Sequence, residues 1–228
     1  MTSRPAAIVF DVNETLSDLS PLGARFVEVG ASASAAPLWF ASILRDGFAL
    51  TAAGDTAPFA GVARELLAAQ LWEANLNRPL EDAVRHVMDG FAALELHADV
   101  ASGVERLHTD GIRLATLSNG ATTVAERLLT SGGIRDRFER LLSVEDAGAW
   151  KPSPLAYAHA AHELDVPASE LLLVAVHPWD VHGALQAGLP AAWVNRSGGP
   201  WPGVFDEPTH TVESIEALAE LWTGPPSA

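Results

Sequence analysis

Ala7-Ile8-Val9-Phe10-Asp11-Val12-Asn13-Glu14-Thr15-Leu16-Ser17-Asp18 is the stretch whose reading decides the fold. It opens on an apolar run, Ala7 to Phe10, which has the character of a buried strand. A carboxylate that closes such a strand and opens a polar loop stands where open α/β sheets bind their ligands. That makes Asp11 the first candidate for chemistry. A strand-end aspartate is also a common helix N-cap or turn residue, so its role depends on what the rest of the chain supplies.

Beyond this loop the chain is Ala-rich and helical for a long way. Pro21 to Gly30, Pro37 to Ala53, Phe59 to Asn75 and Pro79 to Gly90 each start near a proline or turn signal and carry apolar residues at helical spacing. From about Ala98 helix and strand alternate. The pattern predicts helices over Val100–His108, Thr122–Thr130, Ser153–Leu164 and Val181–Ala187. It predicts strands over Ile112–Leu117, Leu141–Val144, Leu171–Val176 and Ala191–Asn195. Val212–Trp222 reads as an amphipathic helix, followed by a frayed tail at Gly224-Pro225-Pro226. Such alternation builds a parallel sheet with helices on both faces. The expected fold is therefore α/β, with a sheet core over 1–16 and 98–228 and a helical cap inserted over 17–97.

A chain of 228 residues can bury a full core. Its net charge of −15 argues against nucleic acid or an anionic membrane as a partner. An anionic substrate must then be drawn in by local groups. The chain has no cysteine, which excludes thiol catalysis, disulfides and thiolate metal sites, and is compatible with a reducing cytoplasm. Met1-Thr2-Ser3-Arg4-Pro5 leads into the first strand without room for a signal peptide, and no apolar run reaches membrane-spanning length. A cytoplasmic protein is expected.

Three more strand ends carry polar groups. Ser118 and Asn119 follow Leu114-Ala115-Thr116-Leu117 and can donate hydrogen bonds to a carboxylate or a developing negative charge. Lys151 precedes Pro152-Ser153-Pro154, from where its ammonium can project back over the sheet edge. His177-Pro178-Trp179-Asp180 follows another apolar strand and supplies an imidazole, an indole and a second carboxylate. Singly, each has an ordinary reading: a Ser-Asn-Gly turn, a solvated lysine, a helix-capping aspartate. Their arrival at successive sheet ends favours a shared site.

Phe10-Asp11-Val12-Asn13-Glu14-Thr15-Leu16, Leu117-Ser118-Asn119-Gly120, Lys151-Pro152 and Trp179-Asp180 resemble, in order, the four motifs of the haloacid dehalogenase superfamily. The resemblance points most closely to its type II 2-haloacid dehalogenases and extends to Leu141-Leu142-Ser143-Val144-Glu145, Tyr157 and Trp193-Val194-Asn195-Arg196. It implies a Rossmann-like core with the active site beneath the cap. It also implies that Asp11 attacks C2 of a small anionic 2-haloalkanoate, displaces halide with inversion, and forms an ester that water hydrolyses at the Asp11 carbonyl carbon. In that scheme Lys151 keeps Asp11 ionised, Ser118 and backbone amides orient it and the substrate carboxylate, Thr15 lies beside it, and Asp180 positions Lys151 and the water. A neighbouring ammonium favours the carboxylate form, so the scheme is physically coherent. Val12, Asn13, Tyr157 and Trp179 join the substrate-side residues, with Asn119 and Trp179 at halide-cradle positions. The resemblance allows a homodimer, although no exposed apolar stripe compels one.

The departures are informative. The superfamily's phosphatases carry an aspartate at the position of Asn13, as general acid and beside magnesium; an amide can do neither job. Halide departure needs no proton, so the site reads as free of metal and of any cofactor. Where type II enzymes have an arginine that draws off halide, Leu38-Trp39 is followed by Phe40. Arg45 lies about 140° further round a helix; it is counted among the substrate-side residues, although it need not replace that arginine. Trp39, Phe40 and Phe59 are placed near the substrate, and the other cap aromatics, Phe48 and Trp72 among them, in helix packing. His177 stands where these enzymes usually have asparagine; it reads either as a general base for ester hydrolysis or as a spacer beside Trp179. Glu14, where relatives often carry glycine, reads either as a turned-out loop side chain or as an added acid near the cap. Two other functions stay open: hydrolysis of a non-halogenated substrate, such as a small phosphate ester or a strained cyclic amino acid, and non-catalytic binding on the same fold.

Overall fold

The computed structural model describes residues 4–222, and the tail expected at 224–226 lies outside them. Six strands form one parallel sheet: β1 Ala7–Phe10, β2 Arg113–Ser118, β3 Arg140–Ser143, β4 Leu171–Ala175, β5 Ala191–Val194 and β6 His210–Val212. Their order is β3-β2-β1-β4-β5-β6. The chain steps outward from β1 in one direction to β2 and β3, then crosses back to β4 on the other side. The carboxyl edge of β1 is thus the switch point, where the loops on either side diverge and leave a crevice.

The strands are apolar on both faces because both are covered. Ala7, Val9, Leu171, Leu173 and Ala175 turn toward one hydrophobic cluster, while Ile8, Phe10, Leu172 and Val174 turn toward the other. Helices α1 Leu22–Glu28, α2 Ala35–Ala52, α3 Phe59–Leu71 and α4 Leu80–Ala92 lie between β1 and β2 in sequence, and their apolar side chains join the first cluster. Helices α5 Val100–Thr109, α6 Thr122–Ser131, α7 Val144–Ala147, α8 Pro154–Leu164, α9 Pro178–Gln186 and α10 Ile215–Glu220 follow in the alternating part.

The chain leaves β1's loop and returns to it at a pinned neck. Asp18 N donates to Glu95 O at 2.8 Å and His97 N to Leu16 O at 2.9 Å. Trp150, next to Lys151, holds α2 and α3 from the other side. Its indole N–H donates to Ala57 O at 3.1 Å, and its ring stacks on Phe59 at 5.5 Å and lies against Gly47 of α2. A β-carbon at Gly47 would collide with that ring, so close approach is the reason for glycine there.

Several boundaries differ from expectation. β6 takes Val212, which was assigned to the terminal helix, because its backbone pairs with Val194; three residues with one buried position leave no pattern to read. Val144 opens the short α7, capped by Ser143, whose Oγ accepts from Glu145 N at 3.1 Å. Helix α9 starts at Pro178, earlier than the apolar spacing suggested, because proline suits a first helical position. Trp179 and Asp180 are therefore first-turn residues. Trp72, placed among the packing aromatics, is exposed at the end of α3.

Candidate active site

Asp11, immediately after β1, is buried at the switch point and receives hydrogen bonds on both carboxylate oxygens. Lys151 Nζ donates to Oδ1 at 2.8 Å, and Thr15 Oγ1 donates to Oδ2 at 2.7 Å. Thr15 Oγ1 in turn accepts from Val176 N at 3.1 Å, which fixes its proton on Asp11. His177 Nδ1 also meets Oδ2, at 3.2 Å.

Lys151 is wholly buried and lies between two carboxylates, with its second bond to Asp180 Oδ2 at 2.7 Å. Asp180 is held in place by Tyr157, whose hydroxyl donates to its Oδ1 at 2.7 Å. The Lys151 backbone N–H is bound by Asn119 Oδ1 at 3.0 Å. Asn119 thus uses its carbonyl on the loop that delivers the lysine and keeps its amide N–H donors for another partner.

Burial by itself would push the Asp11 carboxyl up; the Lys151 ammonium and the charge and hydrogen bond of His177 outweigh it and hold Asp11 well below the usual carboxylate range. Burial would depress Lys151, but Asp11 and Asp180 raise it above the ordinary lysine value. Asp180 moves upward, from burial first and then from the like charge of Asp11, against the pull of Lys151. Burial, reinforced by Asp180, raises Tyr157 well above its ordinary value, so it stays a donor. The outcome is an ionised carboxylate held beside a permanent cation.

His177 is built in from two directions. Its Nε2 meets Glu14 Oε2 at 2.8 Å while its Nδ1 faces Asp11. Burial would lower its pKa, but hydrogen bonds to Asp11 and Glu14 push it up to about 9. With a carboxylate at each ring nitrogen, the imidazolium that donates on both sides is the favoured form, and the general-base reading from sequence calls for one of those carboxylates to lose its charge. Two aromatic rings stack near-parallel to it, Trp179 with ring centres 5.1 Å apart and Phe40 at 6.3 Å. Where the cap arginine of type II enzymes was sought, a phenyl ring thus lies on a cation belonging to the core.

Asp11, Thr15, Lys151, Asp180, Tyr157, His177, Asn119, Phe40 and Trp179 are brought together. Phe59 stacks on Trp150, beside the Lys151 loop. Ser118 ends β2 on the same edge, but its Oγ accepts from Gly120 N at 2.9 Å, and among the described residues it makes no hydrogen bond to Asp11. Val12 turns its side chain into the cluster on the far face of the sheet, so only its backbone faces the site loop. Asn13 is buried and bridges to Ser17.

Two expected substrate contacts are not brought to the site. Trp39 is fully buried inside the helical part, with Nε1 on Ala63 O at 2.9 Å and its ring against Phe26 and Phe91. It shares α2 with Phe40, and adjacent helical residues point about 100° apart. Arg45 is 68% exposed and pairs with Asp46. Sequence reasoning missed Trp150 and left Phe48 in helix packing, although Phe48 and Trp179 meet in a T-shaped pair with ring centres 4.9 Å apart. Trp150 had one signal, its place beside Lys151; Phe48 had none, because its contact crosses from α2 to α9.

Among the described residues no group of three or more His, Asp or Glu is disposed to hold a metal ion. A cleft of about 790 Å³ opens beside the site, lined by Glu14, His177, Phe40, Val176, His97 and Arg196 among others. It reaches His177 and Glu14 from outside; Asp11 and Lys151 lie behind them.

A family model of haloacid dehalogenase-like hydrolases matches residues 5–188. The chain is 31% identical over 226 residues to (S)-2-haloacid dehalogenase 4A of Burkholderia cepacia, covering 97% of this chain and 95% of that protein. It is 32% identical to haloacetate dehalogenase H-2 of Moraxella sp. (strain B) over 141 residues, 62% of this chain and 63% of that protein. The L-2-haloacid dehalogenase of Xanthobacter autotrophicus with chloropropionic acid covalently bound superposes with a TM-score of 0.84 at 25% identity, over 95% of this chain and 98% of that one. With its nucleophile-and-lysine site at the switch point and these likenesses along nearly its whole length, the chain belongs to the haloacid dehalogenase-like hydrolases.

Proposed function

We propose that this protein is an (S)-2-haloacid dehalogenase acting through an ester on Asp11. The single observation that carries the reading is the ionised Asp11 at the carboxyl edge of β1, with Lys151 Nζ 2.8 Å from one oxygen. Asp11 attacks C2 of a short 2-haloalkanoate; the C–O bond forms as the carbon–halogen bond breaks, and the electron pair leaves with the halide. Water then adds to the Asp11 carbonyl carbon, and collapse releases the 2-hydroxy acid and restores the carboxylate. The two relatives' names, one a 2-haloacid and one a haloacetate dehalogenase, support this substrate class.

Each residue's role follows from its contacts. Lys151 holds Asp11 anionic and aimed, Asp180 and Tyr157 hold Lys151, and Thr15 fixes the second oxygen. Asn119 and Trp179 would cradle the departing halide, the first through amide N–H groups and the second through the positive edge of its ring. Ser118 would act on the substrate carboxylate, with backbone amides of the Val12–Asn13 loop. Asn13 supplies no acid, which fits a leaving group that needs no proton, and Lys151 already fills the space between Asp11 and Asp180. We therefore read the enzyme as working without metal or cofactor. Residues 17–97 would act as a cap over a core of 1–16 and 98–228, with the cleft between them as the way in. No helix among the described residues is long and apolar enough to cross a membrane. A cysteine-free chain suits a cytoplasmic site of action.

The test is single-turnover reaction with (S)-2-chloropropionate in ¹⁸O water, followed by mass analysis of the Asp11 peptide. One heavy oxygen in Asp11, with chloride released in the presence of a chelator, is the expected result. Chloride release with the label confined to the hydroxy acid would reject the ester, and no halide released from chloro-, bromo- or fluoroacetate would reject the substrate class.

A further inference from the structure

Glu14 is in an unfavourable backbone conformation, at φ +62°, a region that glycine enters freely and a side chain with a β-carbon enters at a cost of about 1 kcal/mol. The turn that imposes it is closed by Leu16 N and Ser17 N, both donating to Val12 O, and the Glu14 side chain that the turn presents is 43% exposed to the cleft. What the side chain does make is the 2.8 Å bond to His177 Nε2. The loop is fixed beneath it by His97, whose Nε2 meets the Glu14 carbonyl at 2.9 Å. A strained residue whose visible contact is a buried imidazole beside a nucleophile is a candidate for function.

We propose that Glu14 is a positioning residue that makes His177 the base for the second half of the reaction, switched on by formation of the Asp11 ester. The inference rests on the ester reading above. The charged and titratable groups around His177 are Asp11 and Glu14 in direct contact, Lys151 and Asp180 behind Asp11, and His97 behind Glu14; Phe40 and Trp179 stack near-parallel to it without charge. Before reaction, two carboxylates keep the ring protonated. Esterification removes the charge of Asp11 and one of those two partners, which weakens the hold on the proton. Glu14 keeps the Nε2 proton, while the Nδ1 proton, now facing a neutral ester, is lost to water in the cleft that the ring borders and accounts for the one proton that dehalogenation must release. Nδ1 is then a free base one hydrogen bond from the acyl group that water must reach. It takes a proton from the attacking water as the oxygen bonds to Cγ. Collapse of the intermediate breaks the Cγ–O bond to the substrate and passes the intermediate's hydroxyl proton to the departing alkoxide. Asp11 is again a carboxylate and His177 again an imidazolium. The arrangement of carboxylate, imidazole and reacting group is that of a catalytic triad with the ester in the third place.

The experiment is rapid-quench kinetics on the full-length protein and its Glu14→Gln variant with (S)-2-chloropropionate, reading chloride and the ester on the Asp11 peptide. The expected result is a chloride burst of about one per enzyme in Glu14→Gln at a rate within about threefold of the wild-type first turnover. A steady state about 10–100-fold slower follows, with the ester accumulated. Glu14→Asp should recover part of the slow phase. A general loss of structure would slow the burst as well, so a burst slowed equally with turnover, or turnover without accumulated ester, overturns the inference. Absence of chloride from the wild type would overturn the ester reading and this inference with it. A second measurement needs no turnover: Asp11→Asn is a neutral stand-in for the ester, and the His177 titration midpoint, followed by NMR, should fall from about 9 by about one unit or more. An unchanged midpoint overturns the switch.

Discussion

On one side of Asp11 the Lys151 ammonium is sealed, with no exposed surface, between two carboxylates and behind the Trp150 plug. On the other the His177 ring is 12% exposed and linked through Glu14 to an open cleft. Both are cations at hydrogen-bond distance from the same carboxylate, but their environments give them different chemistry. A lysine raised above its ordinary value cannot change state at any working pH, so it can only hold and aim. A histidine whose charge depends on two carboxylates changes state when either is neutralised. The site thus pairs a fixed charge with a conditional one, and the conditional one faces the water.

The comparison breaks most completely when its shared partner is removed. Asp11→Asn should lower halide release by at least about 10⁴-fold in a chloride assay while the fold, read by circular dichroism, is retained. Lys151→Met comes next and attacks the sealed side. It leaves Asp11 and Asp180 buried together without a cation, which should cost about 3–5 kcal/mol in urea unfolding at pH 7 and about 10²–10³-fold in halide release. The penalty should shrink at low pH, where protonating a carboxylate relieves the pair.

The conditional side predicts a different pH signature. His177 has a folded pKa raised to about 9, so its contribution to stability is complete below about 6.5 and is lost as pH rises through 9. Unfolding free energies of the wild type and His177→Asn measured from pH 6 to 10 should therefore converge by about 3 kcal/mol toward the alkaline end, with the wild type losing the advantage. A constant difference across that range would mean the ring is not a cation. The smallest expected effect belongs to Arg45→Ala, whose guanidinium is exposed on Asp46: kcat/KM should stay within about twofold. A larger loss would return that arginine to the halide site.

Much of this was legible in the chain. Asp11, Ser118, Lys151 and Asp180 lie after separate strands, and because a parallel sheet brings its carboxyl ends to one edge, their order along the sequence is enough to assemble a site. The four helices α1 to α4 were legible too, since their apolar spacing runs on without a strand between them. Less legible were features that depend on side-chain direction. Trp39 and Phe40 are neighbours in sequence, yet one seals the helical part and the other lies on His177, because a helix turns about 100° between them. Ser118 is on the predicted edge but accepts from its own turn, a choice made by the local backbone. β6 was missed because pairing with β5, not any pattern of its own, makes it a strand.

The sequence by itself determined the parallel α/β alternation, the run of helices after β1 and the strand-end places of Asp11 and Lys151, because periodicity and the order of strand ends are properties of the chain alone. Only the tertiary structure brought His177 and Glu14 together. They are 163 positions apart, and no spacing rule relates them. Their meaning comes from a contact that exists once β1 and β4 lie side by side, and charge shared across that contact is set by distance and burial, not by residue type.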